Sequence, residues 1–189
     1  MIDDSCRGIL PNRMLLPLYP LDFDAEISAG ELATLLQLLE KQAFNQLTDY
    51  LAKAEHSEQQ CRNLLKGKQF DNALIEAVIS RLIELNYLDN ARYAEIAITS
   101  LINRKASKRA IIAKLKEQRI SASIWEPLLG ELYDQEQAAD NLEALLSKYC
   151  ATHRTQPYKK LKEKAFTYLY GKGFDLADIQ IAWENLNNK

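Results

Sequence analysis

Apolar residues in this chain recur at steps of three and four, and one arrangement of them appears three times. The segments LLKGKQFDNALIEAVISRL, KLKEQRISASIWEPLLGEL and YLYGKGFDLADIQIAWENL align without a gap. Leu65, Leu115 and Leu169 are each followed five residues later by Phe70, Ile120 and Phe174. Asp71, Ser121 and Asp175 come next, then Ile75, Trp125 and Ile179, and seven residues further Leu82, Leu132 and Leu186. Val78-Ile79, Leu128-Leu129 and Ala182-Trp183 lie between. Apolar positions i, i+3, i+4 and i+7 line one face of a helix, whereas a half-buried strand would alternate. An Asp or Ser ahead of that face can accept hydrogen bonds from the unpaired amides of the first turn. Each segment therefore reads as the end of one helix, a tight turn and a second helix. In the third segment the turn carries Gly171 and Gly173, suited to a left-handed helix end.

A further amphipathic stretch precedes each pair, around residues 42–54, 90–104 and 135–149. The expected fold is all-α: a tandem array of three three-helix repeats, curved and elongated, with an extra N-terminal helix over 28–38. Its expected divisions are an irregular lead-in over 1–27, the N-terminal helix over 28–41, and repeats over 42–89, 90–134 and 135–189. Stacked helical units of this kind build an extended concave face. Start signals agree: Ser28 with Glu31, Ser57 with Gln60, Asp89, Ser107, and Pro157 in a first turn. Pro127 is the exception, because proline deep in a helix costs about 3 kcal/mol. The expectation is that this helix starts late, with Ser123 as cap and Glu126 completing an S-x-x-E box.

Composition supports helices. Gly (6) and Pro (5) are scarce, while hydrophobic residues make up 47%. The segment MIDDSCRGILPNRMLLPLYPLDFD is not read as a secretory signal, and no run approaches a membrane span. A cytoplasmic monomer with reduced thiols is expected. Cys6, Cys61 and Cys150 are far apart and form no C-x-x-C pair, so no zinc or other metal is assigned. His56 and His153 are isolated and read as structural or surface residues. No H-E-x-x-H, G-x-S-x-G or glycine-rich phosphate loop occurs. Pairs such as Asp71/Glu76 and Glu136/Asp140 fall on helix surfaces. The chain reads as a binding protein and not an enzyme, with no cofactor and no small-molecule substrate. Phe70, Trp125, Phe174 and Trp183 occupy repeat positions and are read as core; Tyr168 and Tyr170 stand beside lysines.

Charge then alters the picture. The net formal charge is −2, yet NRKASKRAIIAKLKEQR (103–119) holds seven basic residues and one acid, Glu117. Ile111, Ile112 and Leu115 make its buried stripe. Arg109 and Lys116, seven apart, share a side, and Lys105 extends it by a turn. In the third repeat Lys160 and Lys164 share a stripe flanking Leu161, Ala165 and Tyr168. Acids are segregated into LDFDAE and GELYDQEQAADNLE. A solvated helix face is one reading. Repetition of the cluster favours a surface for an anionic partner, made by Arg104, Lys105, Lys108, Arg109, Lys116, Arg119, Lys160 and Lys164.

The run AEHSEQQCRNLLKGKQFDNALIEAVISRLIELNYLDNARYA resembles the RecX family of recombination regulators. Glu55-His56-Ser57 and Tyr87-Leu88-Asp89 with Arg92-Tyr93-Ala94 stand where that family carries its Glu-His-Ser and Leu-Asp-Asp-x-Arg-Phe-Ala motifs. RKASKRAIIAKLKEQRIS is similar to its basic second repeat, and YLYGKGFDLADIQIAWENL to its last. The resemblance covers roughly 42–187. Ala54 stands where the family has arginine, Asn86 where it has glycine, and Gln118-Arg119 where it has Lys-Gly. The resemblance implies a non-enzymatic modulator that binds the RecA filament on DNA and limits its growth and its ATP hydrolysis. Residues 103–119 would then face acidic RecA surface, phosphates of single- or double-stranded DNA, or both. A direct DNA-binding repeat protein is the other reading of the same cations.

Overall fold

The computed structural model describes residues 28–188, and every regular element among them is an α-helix. These are α1 (Ala29–Leu51), α2 (Glu58–Gly67), α3 (Asn72–Glu84), α4 (Asn90–Asn103), α5 (Lys108–Glu117), α6 (Ala122–Leu132), α7 (Gln135–Thr152), α8 (Tyr158–Gly171) and α9 (Leu176–Asn187). The lead-in expected over 1–27 lies outside the described residues. The helices expected over 28–38 and around 42–54 are one continuous helix, α1. Its start is the expected capping box, with Ser28 accepting from the Glu31 amide and Glu31 reaching back to the Ser28 amide. Between them LEKQAF contains only residues a helix accepts readily, so nothing stops it.

The five-residue step from Leu65 to Phe70 has a definite structural cause. The Phe70 amide donates to the Leu65 carbonyl and the Gln69 amide to that of Lys66, at 3.2 and 2.9 Å. That pair of bonds is a Schellman ending, which needs one left-handed residue and brings its two flanking apolar residues together. Ile120 to Leu115 with Arg119 to Lys116, and Phe174 to Leu169 with Gly173 to Tyr170, repeat it. The left-handed residues are Gln69 (φ 64°), Arg119 (φ 54°) and Gly173 (φ 92°). Asn86 and Lys105 take the same conformation after α3 and α4. Gly171, expected to share this task, is the last residue of α8.

Helix starts follow the sequence with three exceptions. Ser57, Asp71, Ser107 and Asp89 all accept from amides of the following first turn. The late start of α6 does not occur. The helix begins at Ala122, Ser121 is its N-cap without a side-chain cap bond, and Ser121 and Ser123 instead bond each other at 2.8 Å. Pro127 therefore sits inside α6, on its exposed side, withholding one amide from the ladder. Asp175 caps α9 by backbone alone, and Pro157 precedes α8 as N-cap instead of entering its first turn.

The described residues divide into two compact units, 28–93 and 94–188, the boundary falling within α4. In the first, Leu39, Ala43 and Leu47 of α1 pack on Cys61 and Leu65 of α2 and on Ile75, Val78, Ile79 and Leu82 of α3. In the second, Leu142 and Leu146 of α7 meet Ala165 and Leu169 of α8 and Ile179, Ala182 and Trp183 of α9. Ile98, Ile111, Leu115, Ile120, Trp125 and Leu129 are buried as well. The expected core aromatics Phe70, Trp125, Phe174 and Trp183 are all buried. Leu132 and Leu186, which end the pattern, are only half-buried.

Candidate partner-binding surface

The motif residues of the first repeat are bonded to one another. Arg92 of α4 donates from Nε to Glu55 Oε1 at 2.6 Å and from Nη2 to the Tyr87 carbonyl. Ser57 is buried and caps α2. His56 stacks on Tyr50, with ring centroids 3.6 Å apart. Asn90 accepts from the Glu58 amide and donates to the Glu58 carboxylate at 2.8 Å. Glu55-His56-Ser57 and Asp89 with Arg92 thus tie the start of α2 to the start of α4, a structural task.

Seven of the eight expected partner-binding residues are solvent-facing cations without an ion pair among the described residues. Arg104 and Lys105 follow α4, Lys108 opens α5, Lys116 lies near its end, and Arg119 sits in the following turn; all are exposed. The acid of this run is already committed, since Glu117 pairs with Lys114 at 2.9 Å. Lys160 and Lys164 are exposed on α8.

Arg109 behaves differently. Its Nη2 donates to the Tyr170 carbonyl at 2.8 Å, its guanidinium lies 4.6 Å from the Tyr170 ring centroid, and Asp175 is 3.9 Å away. It is a latch from α5 to the end of α8. Beside it the Ser107 hydroxyl accepts from the Ala110 amide and donates to the Lys172 carbonyl at 3.0 Å. The Lys108 amide donates to the Tyr133 hydroxyl at 3.1 Å, and burial pushes that phenol above its usual range. The latch joins the middle and last repeats, but it does not gather all the cations. From Tyr170, Lys164 and Lys160 lie about 9 and 15 Å back along the α8 axis and roughly 100° around it. Tyr168 and Tyr170 are both partly exposed, and Lys172 lies over the Tyr168 ring.

Apart from the Ser107 cap, the sequence held little sign of these contacts, because their partners are main-chain groups or lie far along the chain. Gly173 was the one available signal. A Cβ there would meet Ser107 Oγ at 2.5 Å, so the bare backbone lets the α8–α9 turn reach α5.

Among the described residues no cluster of three or more His, Cys, Asp or Glu could hold a metal ion, and no helix is long and apolar enough to cross a membrane. Cys61 is buried, and burial pushes its thiol up to about 12. His153 caps the end of α7 and stacks on Tyr149.

Comparison with known proteins agrees with this arrangement. Residues 43–82 match the family described as RecX, first three-helix domain. The regulatory protein RecX of Prosthecochloris aestuarii is 33% identical over 147 residues, 77% of this chain and 94% of that protein. That of Finegoldia magna is 32% identical over 135 residues, 70% of this chain and 66% of that protein. The crystal structure of RecX from Lactobacillus salivarius superposes with a TM-score of 0.66 at 20% identity, covering 79% of this chain and 97% of that one. A second regulatory protein RecX gives 0.72 at 20%, covering 91% and 85%. The helical repeats, the bonded Glu-His-Ser motif and a relative one-third identical over nearly its whole length place this chain in the RecX family of regulatory proteins.

Proposed function

We propose that the chain is a non-enzymatic regulator that binds the RecA recombinase filament on DNA and limits its growth and activity. One observation carries this beyond the family name. Arg104, Lys105, Lys108, Lys116 and Arg119 lie exposed within sixteen residues of sequence, and none has an ion pair among the described residues. Such a cluster attracts acidic protein surface or phosphate and raises the rate of encounter with it. Arg109 supports the surface by holding α5 against the next repeat.

The test is RecA ATP hydrolysis and filament length on single-stranded DNA, with wild-type chain and with Lys108→Glu/Lys116→Glu. Lys108 is the first residue of α5, where an acid suits the helix dipole, so folding is retained. Inhibition by the wild type and its loss in the variant are expected. A wild-type chain without effect at stoichiometric excess would remove the proposal. Direct DNA binding is separated by omitting RecA: tight binding to bare duplex, weakening with a salt slope of about −0.9 per phosphate contact, would replace the RecA reading.

A further inference from the structure

A groove of about 370 Å³ opens over α7 and α9 in the last repeat. Ala138, Ala139, Leu142, Phe174 and Ala182 line it, and Ile181 stands beside them with 58% of its surface exposed. Its rim is acidic. Glu143, Asp175 and Asp178 border it. Glu136 and Asp140, seven and three residues ahead of Glu143, continue the same stripe of α7. Lys108 and Arg109 close one end, and Arg109 is already engaged with Tyr170 and Asp175.

This chemistry narrows the occupant. Small-ligand sites carry a few convergent buried polar groups. Among the described residues, the buried side-chain atoms without a partner belong to Gln46, Glu55, His56, Gln59 and Gln156, and none of these lines the groove. A nucleic acid would meet carboxylates along most of the rim. An apolar floor of small side chains inside an acidic rim fits a protein segment with an apolar anchor flanked by lysine or arginine. We infer that the groove is a second docking site, opposite in charge to the α5 surface, and that it receives such a cationic segment of the RecA protein itself. This rests on the RecA reading above.

The experiment places the photocrosslinker p-benzoylphenylalanine at Ala139, and at exposed Thr167 of α8 as control, and irradiates with RecA filaments on poly(dT). Ile181→Arg and Asp178→Lys, both at exposed positions, are tested for inhibition of RecA ATP hydrolysis after thermal melts verify folding. Crosslinking to RecA from position 139 and not 167 is expected. The half-inhibitory concentration should rise at least about tenfold with Ile181→Arg. Unchanged inhibition without a crosslink overturns the groove and leaves the regulator reading standing. A crosslink to a second copy of the chain without RecA also overturns it. A wild-type chain that never affects RecA removes both.

Discussion

Replacing Gly173 by alanine puts a methyl group where the fold brings two helices together. The new carbon would lie 2.5 Å from Ser107 Oγ and 3.3 Å from the Ala110 nitrogen. Swinging the hydroxyl aside breaks its bond from the Ala110 amide and its donation to the Lys172 carbonyl. Loss of the cap costs about 1 kcal/mol, and loss of the second bond about 1 kcal/mol more. Holding alanine at φ 92° adds about 1–2 kcal/mol. The sum, about 3–4 kcal/mol, lowers Tm by on the order of 10 °C for a chain of this size. Ser107→Ala removes the obstructing oxygen and costs about 2 kcal/mol for its two bonds. In that background Gly173→Ala should cost only the backbone term. The double variant then loses about 3–4 kcal/mol instead of the additive 5–6, a coupling of about 2 kcal/mol. Urea and thermal unfolding of the four proteins read this directly. Additivity within about 0.5 kcal/mol would refute the close contact as the cause.

Arg119→Gly should leave stability unchanged or raise it by up to about 1 kcal/mol, because Arg119 occupies a left-handed position that glycine takes without strain; it should nonetheless weaken RecA inhibition, and a marked drop in Tm would contradict the backbone argument. Cys61, with its thiol near 12, holds roughly one thiolate in ten thousand at pH 8. In a chain carrying Cys6→Ser and Cys150→Ser it should resist thiol reagents until urea unfolds the protein, so prompt labelling would sink that view. Arg92→Ala and Glu55→Ala should each cost about 1 kcal/mol, and combining them should cost little more than either; full additivity in urea melts would show that the pair contributes nothing. Hydrogen bonding from Arg62 lowers the Glu76 pKa. Its stabilising share is therefore complete above the ordinary carboxylate range and lost as pH falls through the lowered native value, and Arg62→Met should flatten that part of the pH–stability curve.

The repeat was legible because its spacing records a backbone motif. Leu and Phe five apart are the two apolar residues that a Schellman ending brings into contact, and Ser or Asp at a helix start is a hydrogen bond written as a letter. The continuity of α1 was harder to read. Ser28 and Glu31 mark a beginning, but a helix that fails to stop leaves no mark. Pro127 misled for a related reason: only one amide is missing, and an exposed carbonyl can turn to water. At the surface the exposed cations were visible as composition. Arg109 was indistinguishable from them, since its partner is the main chain of Tyr170, sixty-one residues later. The groove was invisible for the same reason, being assembled from alanines and carboxylates on separate helices.

The Ser107 hydroxyl starts one helix and finishes another. A chain cut ahead of residue 158 would leave that hydroxyl and the Arg109 guanidinium without their carbonyls, so the middle module would fray at a helix it encodes in full. Lengthening or shortening such a series by whole modules would demand a matching serine and an open carbonyl at every new seam. The last two modules behave less as beads on a string than as courses of brick, the middle one keyed into the one laid after it.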